Sequence, residues 1–328
     1  MTIIRHFDLR LDFDRMVDLI EIVFADDEAR LGQSFRAEFE SARKALPLNL
    51  MLEHISDSFR HSFDGFVCEE QGRIVALVNI LRAGLNKTCW EIGNVATHPD
   101  YRRQGLARQL VKKAIEYARE HGAEICILDV RDDNEPAYKL YESLGFVHYD
   151  SNIDLKLSNL PAVQTLSLPG FSPRPMKFTE WQPRYNLALR ETPPKVQEFL
   201  PVNISDYRVT LIEQVTQPLA MGIQKIDSYR WAVEKEGKLV GYVSLNARRS
   251  PKVSHYLILR VDPQHEQDLN EPLLTLALDK LQKYPRQNIL TSVRKVNQLQ
   301  RKLFKNYGFE EVFVLRRMGL KLSAGEGS

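Results

Sequence analysis

VATHPDYRRQGLAR, Val95 to Arg108, is the stretch on which the reading of this chain turns. An apolar run stops near Pro99, a polar loop with one glycine follows, and Leu106 opens a long helix. At such a junction several backbone N–H groups converge on one point with the positive end of a helix dipole behind them, which is how a phosphate or pyrophosphate is held. Gly105 lets the main chain approach an anion with no Cβ in the way, and small Ala107 serves the same end. Arg102, Arg103 and Arg108 add charge-assisted donors. An Arg-rich turn alone is more often a solvated surface, so the flanking segments must decide.

Downstream, GLARQLVKKAIEYAREHG predicts a helix with Leu106, Leu110, Val111, Ala114, Ile115 and Ala118 on one face and Gly122 as its cap. EICILDV reads as a strand buried on both sides, and NEPAYKLYESLG as a short helix with Asn134 at its N-cap, Pro136 in the tolerant first turn and Gly145 at its end. FVHYD and IDLKL would finish the unit. Upstream, FDGFVCEEQGRIVALVNILRAG predicts a hairpin and TCWEIGNVATHP a third strand. Before them come a short strand near Ile3 to Phe7 and two helices, RMVDLIEIVFADD with Met16, Leu19, Ile20 and Val23 on its apolar face, and SFRAEFESARKAL.

The chain then repeats itself. VRKVNQLQRKLFKNYGF (Val293 to Phe309) echoes VRDDNEPAYKLYESLGF (Val130 to Phe146) 163 residues earlier, with Val, Arg, Asn, Lys, Leu, Gly and Phe shared. WAVEKEGKLVGYVSL answers the first hairpin, HYLILRVDP the third strand, PLLTLALDKLQKY the long helix, NILTSV the buried strand and RRMGLKL the segment NIDLKL. A register kept through several elements marks an internal duplication. LPAVQTLSLPGFSPRPM, rich in Pro, Gly and Ser, reads as a linker, so the expected division is residues 1–160, a linker 161–176, and 177–328. A length of 328 residues agrees with two domains of about 150 each.

Lys plus Arg number 45 against 43 Asp plus Glu, and a net charge of +2 gives no reason to expect nucleic acid or an anionic membrane as partner. The start lacks the apolar core of a signal peptide and no run approaches the ~18 apolar residues of a membrane span, so a soluble, cytoplasmic protein is expected. Cys68, Cys89 and Cys126 lie in apolar runs without metal-ligand spacing and read as buried thiols; no metal site is expected.

Arg102-x-x-Gly105-x-Ala107 resembles the R/Q-x-x-G-x-G/A pyrophosphate loop of the GCN5-related (GNAT) acetyltransferase superfamily, and LDVRDDNEPAYKLYESLGF is similar to the ending of ribosomal-protein N-terminal acetyltransferases. The resemblance covers roughly Thr2 to Leu160 in full and the second half more faintly. It implies an α/β (α+β) protein of two tandem GNAT-like domains, each a mixed, mostly antiparallel central sheet with helices on both faces. It implies acetyl-CoA as cosubstrate, with the main chain of Val95, Ala96 and Thr97 on the pantetheine. The amides of Arg103, Gln104, Gly105, Leu106, Ala107 and Arg108 would hold the pyrophosphate, Arg102 would open the motif, and Asn134 would reach the pantetheine arm. Tyr141 matches the tyrosine that protonates the departing thiolate. Glu91 matches the strand glutamate of histone-type members, and Asp129 the acidic residue of the ribosomal-protein enzymes, as alternative bases.

Acetyl transfer from a thioester needs a neutral amine within about 3–3.5 Å of the carbonyl carbon and a proton for the leaving thiolate. The second half reads DPQHEQDLNEP across the loop: Leu269 is set against Gly105, Glu266, Asp268 and Glu271 would repel a pyrophosphate, and Phe304 replaces Tyr141. The expectation is an N-acetyltransferase acting on a small-molecule or peptide amine by direct attack in a ternary complex, as monomer or homodimer. Its first domain would be catalytic and its second degenerate. The alternative is a non-catalytic acyl-CoA sensor or scaffold.

Overall fold

The computed structural model describes residues 2–44, 64–83, 88–177, 179–250 and 253–322. The chain groups into two compact units, Met1–Asp150 with Glu198–Pro201 and Leu315–Ser328, and Ser151–Gln197 with Val202–Val314.

In the first unit β1 (Ile3–His6), β2 (Asp64–Glu70), β3 (Arg73–Arg82), β4 (Cys89–Thr97) and β5 (Ile125–Arg131) pair in chain order, antiparallel except for β4 with β5. The β2–β3 hairpin turns on Gln71 and Gly72 with φ of 50° and 78°, the primed two-residue turn whose twist suits a hairpin. Around the sheet lie α1 (Leu9–Val23), α2 (Ala25–Leu31), α3 (Phe35–Arg43), α4 (Leu106–Glu120) and α5 (Glu135–Glu142). The α4 residues buried are Leu106, Leu110, Val111, Ala114, Ile115 and Ala118, the face its spacing predicts, and they pack on Phe66, Val78, Trp90 and Leu128. On the other side of the pleat, Met16, Leu19 and Ile20 of α1 meet Val67, Leu77 and Ala96. Ala45 and Leu46 of the second helical segment, and Phe63 and Gly84 of the hairpin segment, lie outside the described residues.

Beside that apolar patch sits a charged one that periodicity does not announce. Asp12, 1% exposed, accepts from Arg5 at 2.6 and 2.9 Å and from Arg15 at 2.6 Å, and Arg5 also reaches Glu69. The Arg5 hydrogen bonds hold the Asp12 carboxyl down to about 2. A depressed folded pKa stabilises above the unfolded value and is lost as pH falls through the folded one, so Asp12 contributes about 2–3 kcal/mol at neutral pH. Asp12→Asn should lose that amount in urea unfolding at pH 7, and the gap to wild type should close between about pH 4 and pH 2.

The second unit repeats the plan. Its strands β7 (Arg174–Pro175), β8 (Ile226–Lys235), β9 (Lys238–Arg248), β10 (His255–Val261) and β11 (Ile289–Arg294) again include one parallel pair, β10 with β11. Its helices are α6 (Trp181–Glu191), α7 (Pro194–Gln197), α8 (Leu211–Ile223), α9 (Glu266–Leu281) and α10 (Gln298–Asn306). Glu236 and Gly237, with φ of 52° and 74°, form its hairpin turn. The Pro- and Gly-rich segment is not loose: Leu160, Val163, Leu168 and Phe171 pack on this unit's core, and Leu166 N donates to Thr275 Oγ1 at 3.2 Å.

The two closing strands are exchanged. IDLKL, expected to finish the first unit, belongs to β6 (Val147–Leu157), whose residues Asn152 to Leu157 pair antiparallel with β11. The first sheet is closed by the end of the chain: Leu315 to Lys321 of β12 (Glu310–Lys321) run antiparallel to β5. Ile153, Leu155 and Leu157 alternate inward just as Met318 and Leu322 do. Period-two alternation sets which face is buried and is silent on the neighbouring strand. Among the described residues no helix is long and apolar enough to cross a membrane.

Candidate active site

The parallel ladder between β4 and β5 covers Cys89–Glu91 against Ile125–Ile127 and ends there. Beyond it β4 carries a bulge: its register with β3 shifts between Leu77 and Asn79, and Asn94 stands at φ 48°. A bulge bends its strand and ends pairing, so the outer parts of β4 and β5 open into a gap. Val95 packs toward the α4 core and Ala96 is buried on the α1 side, so both are fixed while their main chain borders the gap. Thr97 Oγ1 is buried with no hydrogen-bond partner, an orphan that a ligand amide would satisfy.

At the mouth of the gap, Pro99–Tyr101 make one 3-10 turn and Arg102 to Gly105 form the loop. Arg103 stands at φ 64° and Gly105 at φ 78°, ψ 5°. Left-handed residues in tight succession turn amides toward one point. Gly105 caps α4 with no side-chain hydrogen bond, and the first turn of α4 holds no acidic residue. Its leading N–H groups are therefore left for an anion. Arg102, Arg103, Gln104 and Arg108 are exposed there, Ala107 is half-buried, and Leu106 anchors the helix in the core. Arg102 Nε donates to Thr97 O at 3.4 Å and Arg108 Nη2 to Ser143 Oγ at 2.5 Å. The residues present fit a pyrophosphate and pantetheine arm on these grounds.

At the end of β5, Asn134 caps α5, its Oδ1 accepting from Ala137 N at 3.3 Å. Tyr141, two turns on, is 6% exposed in the α4–α5 core, with the Phe146 ring edge-on at 6.1 Å. Burial raises its pKa to about 12, so its hydroxyl stays protonated and able to donate.

Glu91 and Asp129 emerge on the opposite face, each between two residues of the α4 core. Burial is the first cause that raises the Glu91 pKa, with the charge of Asp129 adding to it and Arg317 opposing. Asp129 is accessible yet ringed by protein; the lost solvent raises its pKa, while Arg317 pulls it down and Asp150 pushes it up. Sequence reasoning missed Arg317, whose Nε lies 3.4 Å from Asp129 Oδ1, together with Tyr149 below its guanidinium and Phe199 stacked on Tyr149. The only signal in the sequence was a charged pair, Arg316-Arg317, inside a strand-like ending. Acidic Asp26 and Asp27 of α2, with Asp133, engage Arg131 at the rim.

The second unit keeps the splay but not the loop. Its β10–β11 ladder ends at Tyr256 and Leu290. Leu269 does not stand at a loop tip as the sequence alignment implied. It is fully buried, because α9 begins at Glu266 directly after the Pro263–His265 turn and swallows the positions that form the loop in the first unit. Without a left-handed glycine there, nothing prevents the helix from extending by a turn. Glu266 accepts from Asn297 Nδ2 at 2.6 Å and Glu271 from Tyr307 at 2.8 Å, so carboxylates occupy the helix start. Phe304 is fully buried against Phe309.

The first unit thus combines a splayed parallel pair, a left-handed glycine loop and a capped helix after β5. Residues 29–146 match the model of the acetyltransferase (GNAT) family. The [ribosomal protein bS18]-alanine N-acetyltransferase of Escherichia coli is 47% identical over 53 residues, 16% of this chain and 36% of that one. An uncharacterized N-acetyltransferase of Methanocaldococcus jannaschii is 38% identical over 88 residues, 25% of this chain and 39% of that one. The matched segments thus span well under half the length of these relatives. In fold the whole chain is similar to a tandem GNAT protein from the clavulanic acid biosynthesis pathway, with TM-score 0.63 at 15% identity and 100% of both chains covered. A GCN5-related N-acetyltransferase from Sphaerobacter thermophilus gives TM-score 0.66 at 14% identity, covering 98% of this chain and 95% of that one.

Proposed function

We propose that this protein is an acetyl-CoA-dependent N-acetyltransferase that acts on a primary amine by direct attack in a ternary complex, with the first unit catalytic and the second not. The observation that carries the reading is the conjunction, in the first unit alone, of the opened β4–β5 gap with the uncapped start of α4 at Gly105. Acetyl-CoA, when bound, supplies an activated acetyl thioester. The chain's own parts divide the remaining work. The amides from Arg103 to Arg108 and the three arginines hold the diphosphate charge. Val95, Ala96 and Thr97 with Asn134 align the pantetheine, which fixes the reacting carbonyl in the gap. A carboxylate, Glu91 or Asp129, takes the proton that an amine carries at neutral pH, directly or through water. Tyr141 donates to the departing sulfur. In the second unit the extended α9 and the Glu266 carboxylate remove the anion site while Phe304 removes the donor, which supports a supporting role for that half.

The test is thiol release on mixing the protein with acetyl-CoA and a panel of small amines and peptide amino termini. Release with at least one acceptor is expected. Binding of CoA without turnover of any acceptor would favour an acyl-CoA sensor, and no binding would remove both readings.

The base is separated by pH. Burial raises both carboxyls, so the acid limb of kcat/KM should lie above the ordinary value near 4, with activity falling as pH drops through it. Whichever of Glu91→Gln and Asp129→Asn removes that limb and lowers kcat about 10²-fold or more identifies the base. If neither changes the profile, neither is the base.

A further inference from the structure

The face of the first unit's sheet opposite Tyr141 gathers more charge than proton transfer alone requires. Glu91 comes from β4, Asp129 from β5, Tyr149 and Asp150 from the first part of β6, and Arg317 from β12. Arg317 is the antiparallel partner of Asp129. Its side chain is 18% exposed, its Nε is 3.4 Å from Asp129 Oδ1, and its guanidinium lies 5.6 Å from the Tyr149 ring centre. That ring stacks on Phe199 at 5.1 Å and 18°, and Phe199 covers Gly319, where an added Cβ would come within 2.2 Å of its ring. Lys321 Nζ lies 5.2 Å from the centre of the Phe199 ring. The segments Glu198–Pro201 and Leu315–Lys321 thus hold Arg317 in one place.

What Arg317 does follows from the charges around it. Its Nε is buried and faces Asp129 Oδ1 at 3.4 Å, so its charge is directed at that carboxylate. An incoming carboxylate would meet the like charge of Glu91 and Asp129 beside Arg317, which opposes it. A cationic amine is attracted to the same floor. The arginine therefore acts on the carboxylates and not on an anionic group of the acceptor. Glu91 feels the charge of Asp129, and two carboxylates so placed without a cation tend to share one proton and stop working as a base.

We propose that Arg317, delivered by the last strand of the chain, is a positioning residue for the Glu91–Asp129 pair of the first unit, and that this pair faces a cationic acceptor. The proposal rests on the acetyltransferase reading for its kinetic consequence and on geometry alone for its electrostatic one. Arg317, on the ladder opposite Asp129, favours the charged form of that carboxyl against the burial that raises it. Asp129 and Glu91 then both remain open to the proton of the amine, and the base of this unit depends on a residue far beyond its own contiguous sequence.

The experiment uses the full chain and the variants Arg317→Gln and Arg317→Lys, with Arg317→Met in place of the first if it does not fold. Two readouts are taken: the pH profile of kcat/KM, and the carboxyl titration of Glu91 and Asp129 by 13C NMR, assigned with Glu91→Gln and Asp129→Asn. Loss of the charge should move the acid limb and the carboxyl midpoints upward together by about one pH unit, while Arg317→Lys brings both back toward wild type. Acetyl-CoA affinity should change less than threefold. Midpoints that stay put in folded Arg317→Gln or Arg317→Met overturn the proposal. Absence of wild-type turnover with every amine would instead defeat the acetyltransferase reading, and the NMR titration would still decide the part played by Arg317.

Discussion

Tyr141→Phe is expected to cut kcat by about 10²–10³ while leaving the acetyl-CoA dissociation constant within threefold. The substitution removes one oxygen from a side chain 6% exposed, so it leaves no cavity and the core around Phe146 and Leu106 keeps its packing. On the proposed reading, what is lost is the proton donor to the departing sulfur. Burial holds the hydroxyl at about 12, above the usual tyrosine, so it is protonated throughout the working range and is a weak but positioned acid. The chain contains its own control: Phe304 occupies the corresponding place in α10, fully buried, and that helix still caps on Asn297 and packs on its sheet. The fold therefore tolerates phenylalanine there. Pre-steady-state thiol release and calorimetric titration measure the two quantities separately. A loss below threefold would mean that the sulfur takes its proton from another source.

The second large effect is expected at the loop. Gly105→Leu should weaken acetyl-CoA binding by at least about 100-fold, without unfolding the first unit. Gly105 sits at φ 78°, ψ 5°, a conformation that costs an L-residue about 1–2 kcal/mol, and relief of that strain pulls the loop amides out of line. A Cβ added there has Gln109 Nε2 as its nearest protein contact at 3.9 Å, so the substitution starts into open space, where a diphosphate would lie on the proposed reading. Gly105→Ala should give a smaller loss of the same sign. The second unit illustrates the end point, since there the helix has grown through the loop and Leu269 has joined the core. Calorimetry with acetyl-CoA, beside thermal unfolding of the same samples, checks the result. Affinity within threefold of wild type would show that the diphosphate is held elsewhere.

Much of the fold was legible because local rules carry it. The α4 face, the Asn134 cap and both hairpins each depend on residues close together in sequence, where helical spacing, capping and glycine conformations apply. The loop was legible for the same reason: one glycine, flanking arginines and the start of a helix lie within a few residues. The degenerate loop was misread in one detail. An alignment that sets Leu269 against Gly105 assumes that the loop persists, whereas helix propensity extends α9 once the glycine is gone.

What the sequence determined by itself is an internal repeat, a glycine-containing basic loop from Arg102 to Arg108 ahead of a helix, and a tyrosine present in one copy and absent from the other. What only the tertiary structure decided is non-local. It opened β4 from β5 beyond Glu91, gave the IDLKL strand to the second sheet and the final strand to the first, and so set Arg317 beside Asp129. The physical reason is that a strand's alternation specifies its buried face but not its neighbour. Partners in a sheet are chosen by whichever edge the folded chain leaves open.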